Sequence, residues 1–198
     1  MATITELSQL DLKGTYSYAD YLKWQFEERI ELLRGKVFPM SPAPSLRHQR
    51  VSKVIQGRMF NFFHGGECEL FAAPVDVRLY NRKKSIKADK DVHTVVQPDL
   101  CVVCDPAKLT DIRSCNGAPE LVVEILSPGN RQREMDDKFD LYQEAGVQEY
   151  WLVQPVEEVV LVYSLNEKGQ FMGLKPAIDF VVSPLFPDLK IDLREVFG

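Results

Sequence analysis

Two stretches of this chain, Gln97-Pro98-Asp99-Leu100-Cys101-Val102-Val103 and Glu120-Leu121-Val122-Val123-Glu124-Ile125-Leu126, are apolar at odd and even positions alike, yet each carries acid. A strand apolar on both faces belongs inside a sheet. A carboxylate there is costly unless it is paired or bound to a metal. A helix holding Lys138 is predicted just downstream. Two acids on separate interior strands with a lysine close behind point to a divalent-metal site suited to phosphodiester chemistry.

The rest of the chain supplies a scaffold of matching size. Its 198 residues, 45% of them hydrophobic, suffice for one full core and predict a single domain over 1–198. No run reaches the length of a membrane span, and no basic segment followed by an apolar one opens the chain. The expectation is a soluble, cytoplasmic protein. A net charge of −5 argues against a protein that coats nucleic acid non-specifically, but local basic clusters remain. One runs from Arg78 to Lys90 and includes Lys83, Lys84 and Lys87; a second comprises Arg47, Arg50, Lys53 and Arg58; a third comprises Arg131, Arg133 and Lys138. Each fits either a solvated face or a phosphate contact. Cys101 and Cys104 have the spacing of a zinc or redox pair, but on a strand they point to opposite faces, so core packing is expected for both.

Periodicity gives the order of elements. Ser17 begins a short helix to about Phe26, with Asp20 completing a capping box. Residues 29–38 read as a hairpin turning near Gly35. Ser45 caps a helix to about Phe63, apolar at Leu46, Val51, Val54, Ile55, Met59 and Phe62. Strands are predicted at 67–73, 75–80, 95–104, 119–126 and 149–153, with a helix at 132–145 stopped by Gly146. A hairpin spans 158–174, and the tail ends in a short helical turn. A helical crossover between 119–126 and 149–153 requires a parallel strand pair. The fold class is therefore α/β, a mixed central sheet flanked by helices, with β-hairpins near both ends.

Phosphodiester hydrolysis needs a positioned water, neutralised phosphate charge and help for the leaving oxygen, which Mg²⁺ or Mn²⁺ held by carboxylates can supply. Two acids and a backbone carbonyl suffice for an ion that keeps several waters. Asp99, Glu124 and Lys138 meet those needs. An ion pair between Lys138 and one of the acids fits the same spacing.

The ordered set Ile30-Glu31-Leu32-Leu33-Arg34-Gly35, Met40-Ser41-Pro42 with His48, Pro98-Asp99-Leu100, Leu121-Val122-Val123-Glu124-Ile125-Leu126-Ser127-Pro128, Lys138 with Tyr142, and Gly146-Val147 with Glu149-Tyr150-Trp151-Leu152-Val153 resembles the Uma-type restriction endonuclease family, a branch of the PD-(D/E)XK nuclease superfamily. The resemblance runs from about Tyr16 to Pro155. It implies a restriction-endonuclease-like core, with Asp99 and Glu124 as the motif acids and metal ligands. Leu126 stands where the superfamily has its lysine, and the resemblance moves that role to Lys138. It also raises Glu31 as a further metal ligand.

His48 and Tyr142 are supporting candidates, each with a structural alternative. Arg50, Lys83, Lys84 and Lys87 are candidate nucleic-acid contacts. Glu120, at the start of its strand, is expected to face solvent. The expected activity is metal-dependent DNA endonuclease; the alternative is a catalytically silent nuclease-fold module that binds nucleic acid or protein. A homodimer or higher homo-oligomer is the expected assembly for paired cuts, with the Tyr150-Trp151 strand or the final hairpin as candidate interface.

Overall fold

The computed structural model describes residues 4–40, 44–81, 88–127 and 132–198, with side chains of the last segment from Met135 onward. Helix α1 (Tyr18–Tyr21) precedes a hairpin of β1 (Ile30–Leu33) and β2 (Lys36–Pro39). Arg34 and Gly35 at its tip both have positive φ, as a two-residue turn of this kind requires. Helix α2 (Leu46–Phe63) follows, then β3 (Glu69–Ala72), β4 (Asp76–Leu79), β5 (Thr94–Val96), β6 (Leu100–Val103), β7 (Ser114–Asn116) and β8 (Leu121–Ile125). Helix α3 (Gln132–Ala145) crosses over to β9 (Glu149–Gln154). The chain then forms β10 (Val159–Leu165), β11 (Phe171–Gly173), β12 (Phe180–Val182), β13 (Lys190–Asp192) and α4 (Leu193–Phe197).

The strands make a six-stranded sheet of order β11-β10-β9-β8-β6-β3, a five-stranded sheet of order β2-β1-β5-β4-β7, and the small pair β12-β13. β8 and β9 are parallel, as the helical crossover demands. Alternation along β8 divides the interior in two. Leu121, Val123 and Ile125 join α2 and α4 in one core, while Val122 faces a second core with Leu141 and Tyr142 of α3 and Val77 and Val96 of the five-stranded sheet. Glu124 shares the parity of Val122 and so lies on the α3 side.

The predicted strand 95–104 is in fact two strands in two sheets. β5 pairs with β1 and β4, whereas β6 pairs with β3 and β8. Pro98 lies between them, and a residue with no N–H cannot continue a ladder. The break sets Asp99 at the junction of the sheets. The first helix is also shorter than predicted, ending in α1 at Tyr21.

Tyr150 and Trp151 were candidates for a subunit contact, but both are buried within the fold. Their strand lies inside the six-stranded sheet. Glu149, equally buried, accepts hydrogen bonds from the Trp151 indole, from Ser183 Oγ at 2.7 Å and from Leu185 N at 2.8 Å, fastening the C-terminal segment to β9. Glu120 is not solvated as expected. It accepts from Lys108 Nζ at 2.5 Å and Cys104 N at 2.8 Å.

Cys101 is buried and free, and Cys104 is disulfide-bonded to Cys68. The β3–β6 register pairs Glu69 with Val103, which brings the two flanking cysteines face to face. The bond closes 36 residues of sequence, for which chain entropy gives roughly 4 kcal/mol at most. Reduction is expected to lower unfolding stability by about 2–4 kcal/mol, measured by urea titration with and without a dithiol. Identical midpoints would show that the bond contributes nothing.

Candidate active site

Side chains from several elements converge on the break between the sheets. On α2, the buried residues Val51, Ile55, Met59 and Phe63 form a stripe that His48 extends toward the helix N-terminus. Ser45 caps that end by accepting from His48 N at 3.2 Å. The ring consequently faces the sheet, with Nε2 3.3 Å from Asp99 Oδ2. Asp99 Oδ2 also accepts from Ile125 N at 2.7 Å. Leu100 pairs with Val123 on the antiparallel β6–β8 ladder, so one step further Asp99 stands opposite Glu124.

Lys138 and Tyr142 lie one helical turn apart on α3 and both reach Glu124 Oε1. The ammonium is at 3.0 Å and the phenol at 2.6 Å. Lys138 Nζ also lies 2.9 Å from Glu31 Oε1, and Gln97 N donates to that same oxygen at 2.8 Å. Lys138 thus bridges two carboxylates from different sheets. Only 1% of Glu31 is exposed, which is possible because its charge meets an ammonium and an amide.

Electrostatics follow from burial. The Glu124 carboxyl is pushed up to about 7 by burial and by the charges of Asp99 and Glu31, against the pull of Lys138. Burial would lower the Lys138 ammonium, but Glu124 and Glu31 outweigh it and hold the group above the usual lysine range. Burial likewise works against protonated His48, and the hydrogen bond and charge of Asp99 overcome it, leaving its value raised. The Tyr142 phenol is pushed well above the usual tyrosine range by burial and by Glu124. It stays protonated and serves as a donor.

These residues fit a hard divalent ion. Glu31 and Glu124 share one ammonium, and burial together with the charges of Asp99 and Glu31 holds Glu124 above its ordinary range. Among the described residues, the hydrogen bonds to Asp99 fall on Oδ2 and those to Glu124 on Oε1. No group of three or more His, Cys, Asp or Glu side chains is drawn together at ligand distance among the described residues. Asp99 and Glu124 each keep one carboxylate oxygen outside these hydrogen bonds, and so does Glu31, whose contacts with Lys138 and Gln97 both fall on Oε1. A cavity of about 20 Å³ lies between Glu124, Lys138, Met135 and Leu126, enough for about one water molecule.

Sequence reasoning missed Asp76 and Gln97. Gln97 Nε2 donates to Asp76 Oδ1 at 2.9 Å, Tyr21 OH donates to the same oxygen at 3.1 Å, and Arg29 holds Gln97 Oε1 at 2.7 Å. Burial pushes the Asp76 carboxyl up, against the hydrogen bonds of Gln97 and Tyr21. The local pattern carried little signal: Val75-Asp76-Val77-Arg78-Leu79 alternates apolar and charged residues, as a strand with one solvated face does.

The basic clusters resolve unevenly. Arg78 is buried, paired with Asp89 at 3.0 Å and Asp111 at 3.3 Å, and lies over the Tyr18 ring. Arg47 pairs with Glu158 and Arg58 with Glu195. Arg50 is exposed on α2. Lys83, Lys84 and Lys87 lie outside the described residues.

Residues 18–194 match the Uma2 family, described as putative restriction endonuclease. The chain belongs to that family. An uncharacterized protein of Synechocystis sp., slr1290, is 27% identical over 158 residues, covering 78% of this chain and 77% of the relative. A crystal structure of a putative nuclease belonging to DUF820 from Anabaena variabilis superposes with a TM-score of 0.70 at 19% identity. That alignment covers 91% of this chain and 97% of the other. The Uma2 chain therefore has a mixed α/β, nuclease-type fold. No helix among the described residues is long and apolar enough to cross a membrane.

His48 acts on Asp99 from outside the proposed donor set. Were Asp99 a metal ligand, replacing His48 by Ala would weaken Mg²⁺ binding by about 10- to 100-fold, the usual cost of losing such a partner. Calorimetric titration measures this, and unchanged affinity would make the contact purely structural.

Proposed function

We propose that this Uma2 protein is a metal-dependent DNA endonuclease whose site comprises Asp99, Glu124 and Lys138, with Mg²⁺ or Mn²⁺ as the ion. The observation that carries the reading is the junction itself, where Asp99 and Glu124 stand opposite each other and Lys138 meets Glu124 at 3.0 Å. Asp99, Glu124 and a backbone carbonyl would hold the ion. When bound, it would supply Lewis-acid activation of water and neutralise phosphate charge.

The protein groups have separable tasks. His48 and Ile125 N fix the Asp99 carboxylate, and Tyr142 fixes Glu124 while remaining protonated. Lys138 places an ammonium beside Glu124, where it can orient the attacking water and offset charge developing on the phosphate. Glu31 holds Lys138 at that position and is the candidate for an additional ligand. Exposed Arg50 on α2, with Lys83, Lys84 and Lys87, is proposed to contact the DNA backbone. A homodimer would allow paired cuts.

Incubation of supercoiled plasmid and single-stranded circles with Mg²⁺ or with EDTA tests this reading. Nicking or linearisation with the metal alone is expected. Equal cutting in EDTA, or none of either substrate in Mg²⁺ and Mn²⁺, would contradict it.

A further inference from the structure

Beside the carboxylate junction, β3, the β3–β4 connection, Gln97 after β5 and the stretch 109–115 line an open groove of about 590 Å³, within the size range of ligand sites, roughly 300–1,000 Å³. Two backbone contacts join it to the candidate active site. Ala73 N donates to the Asp99 carbonyl at 3.0 Å. Gln97, a wall of the groove, donates its backbone N–H to Glu31.

The lining favours a flat, neutral group over a phosphate. Glu69, Asp76 and Asp111 line it against Arg113, which is already clamped to Asp111 at 2.9 and 3.0 Å. Phe71 and Pro74 supply apolar wall. The hydrogen bonds to Asp76 from Gln97 and Tyr21 both fall on Oδ1, so they do not occupy Oδ2. At the rim, Ile112 is fully exposed, at 102% of its reference area. Apolar side chains inserted between base steps are a common means of unstacking nucleic acid.

We propose that this groove receives the nucleobase flanking the cleaved phosphate, unstacked by Ile112 and read by Asp76 through an exocyclic amino group. The inference rests on the nuclease reading above. Cytosine is the first candidate, because carboxylates accept from its N4 amino group. The Gln97–Glu31 contact ties the groove to the residues that hold Lys138, so an occupied groove and a positioned lysine share one hydrogen-bonded chain.

The test is to sequence the ends released from a random-sequence DNA pool digested with Mg²⁺. The wild type is expected to enrich one amino-bearing base beside the cut by about 5- to 100-fold, the usual range for a single read position. Asp76→Asn, which keeps the Oδ1 acceptor, and Ile112→Ala, at a fully exposed position, are each expected to flatten that bias. Cutting without bias, or a bias unchanged in both variants, would overturn the groove assignment and leave the nuclease reading standing. Absence of any cutting would overturn both.

Discussion

Glu124→Gln is expected to abolish metal-dependent cleavage while making the metal-free protein more stable at pH 8. The loss in rate follows from removing a charged group from the proposed metal site. An interaction worth several kcal/mol in the transition state corresponds to about 10³-fold or more in rate. Asp99→Asn should lose as much, because it removes the opposing carboxylate across the β6–β8 ladder. The gain in stability follows from burial. Burial pushes the Glu124 carboxyl up to about 7 in the fold from an ordinary 4.5, a difference on the order of 3 kcal/mol.

The sign is fixed by which state holds the proton. Folded Glu124 keeps its proton between pH 4.5 and 7, where the unfolded chain has released it. Its contribution is full below pH 4.5 and is lost as pH rises through 7. A bound divalent ion reverses that penalty, and its affinity should rise with pH up to about 7. Thermal unfolding at pH 5 and pH 8, with EDTA and with Mg²⁺, reads all four conditions. A Glu124→Gln protein less stable than wild type in EDTA at pH 8 would show that the carboxylate is already compensated.

Lys138→Met is expected to have the second-largest effect, this time on folding. It would strand Glu31 and Glu124, two carboxylates with side chains only 2% and 13% exposed, without their ammonium. Breaking a buried pair from one side typically costs about 3–5 kcal/mol. Glu31→Gln should cost less, because Lys138 keeps Glu124. The double variant Glu31→Gln/Lys138→Met should recover part of the loss, since the two residues are in direct contact. Urea titration of the four proteins measures the coupling. A loss under about 1 kcal/mol for Lys138→Met would mean that both acids are protonated or solvated without it.

The acids and the lysine were legible because interior strands and a helix face restrict where charge can sit. Asp99 and Glu124 stood out against two-faced apolar runs, and Lys138 fell on the face of a helix that had to cover the sheet. The partner of Lys138 was less legible. Glu31 comes from another sheet, and only the break at Pro98 brings its hairpin to the junction. That break read as one long strand, because a proline between two apolar runs does not reveal that the second run joins a different sheet. Asp76 was missed because Val75-Asp76-Val77-Arg78-Leu79 alternates apolar and charged residues, the pattern of a strand with one solvated face, unlike the two-faced run around Asp99. Cys104 was expected to pack in the core as a free thiol-bearing residue like Cys101, and its bond to Cys68 corrects that, because it depends on an antiparallel register that local pattern does not encode.

The proposed metal role of Asp99 and Glu124 is tested most directly by calorimetric titration of Mn²⁺ into the wild type and into Asp99→Asn at pH 8, both shown to be folded. A site in the wild type that is lost or severely weakened in Asp99→Asn is the expected result. Equal binding by the two proteins would remove Asp99 from the metal site and contradict the account.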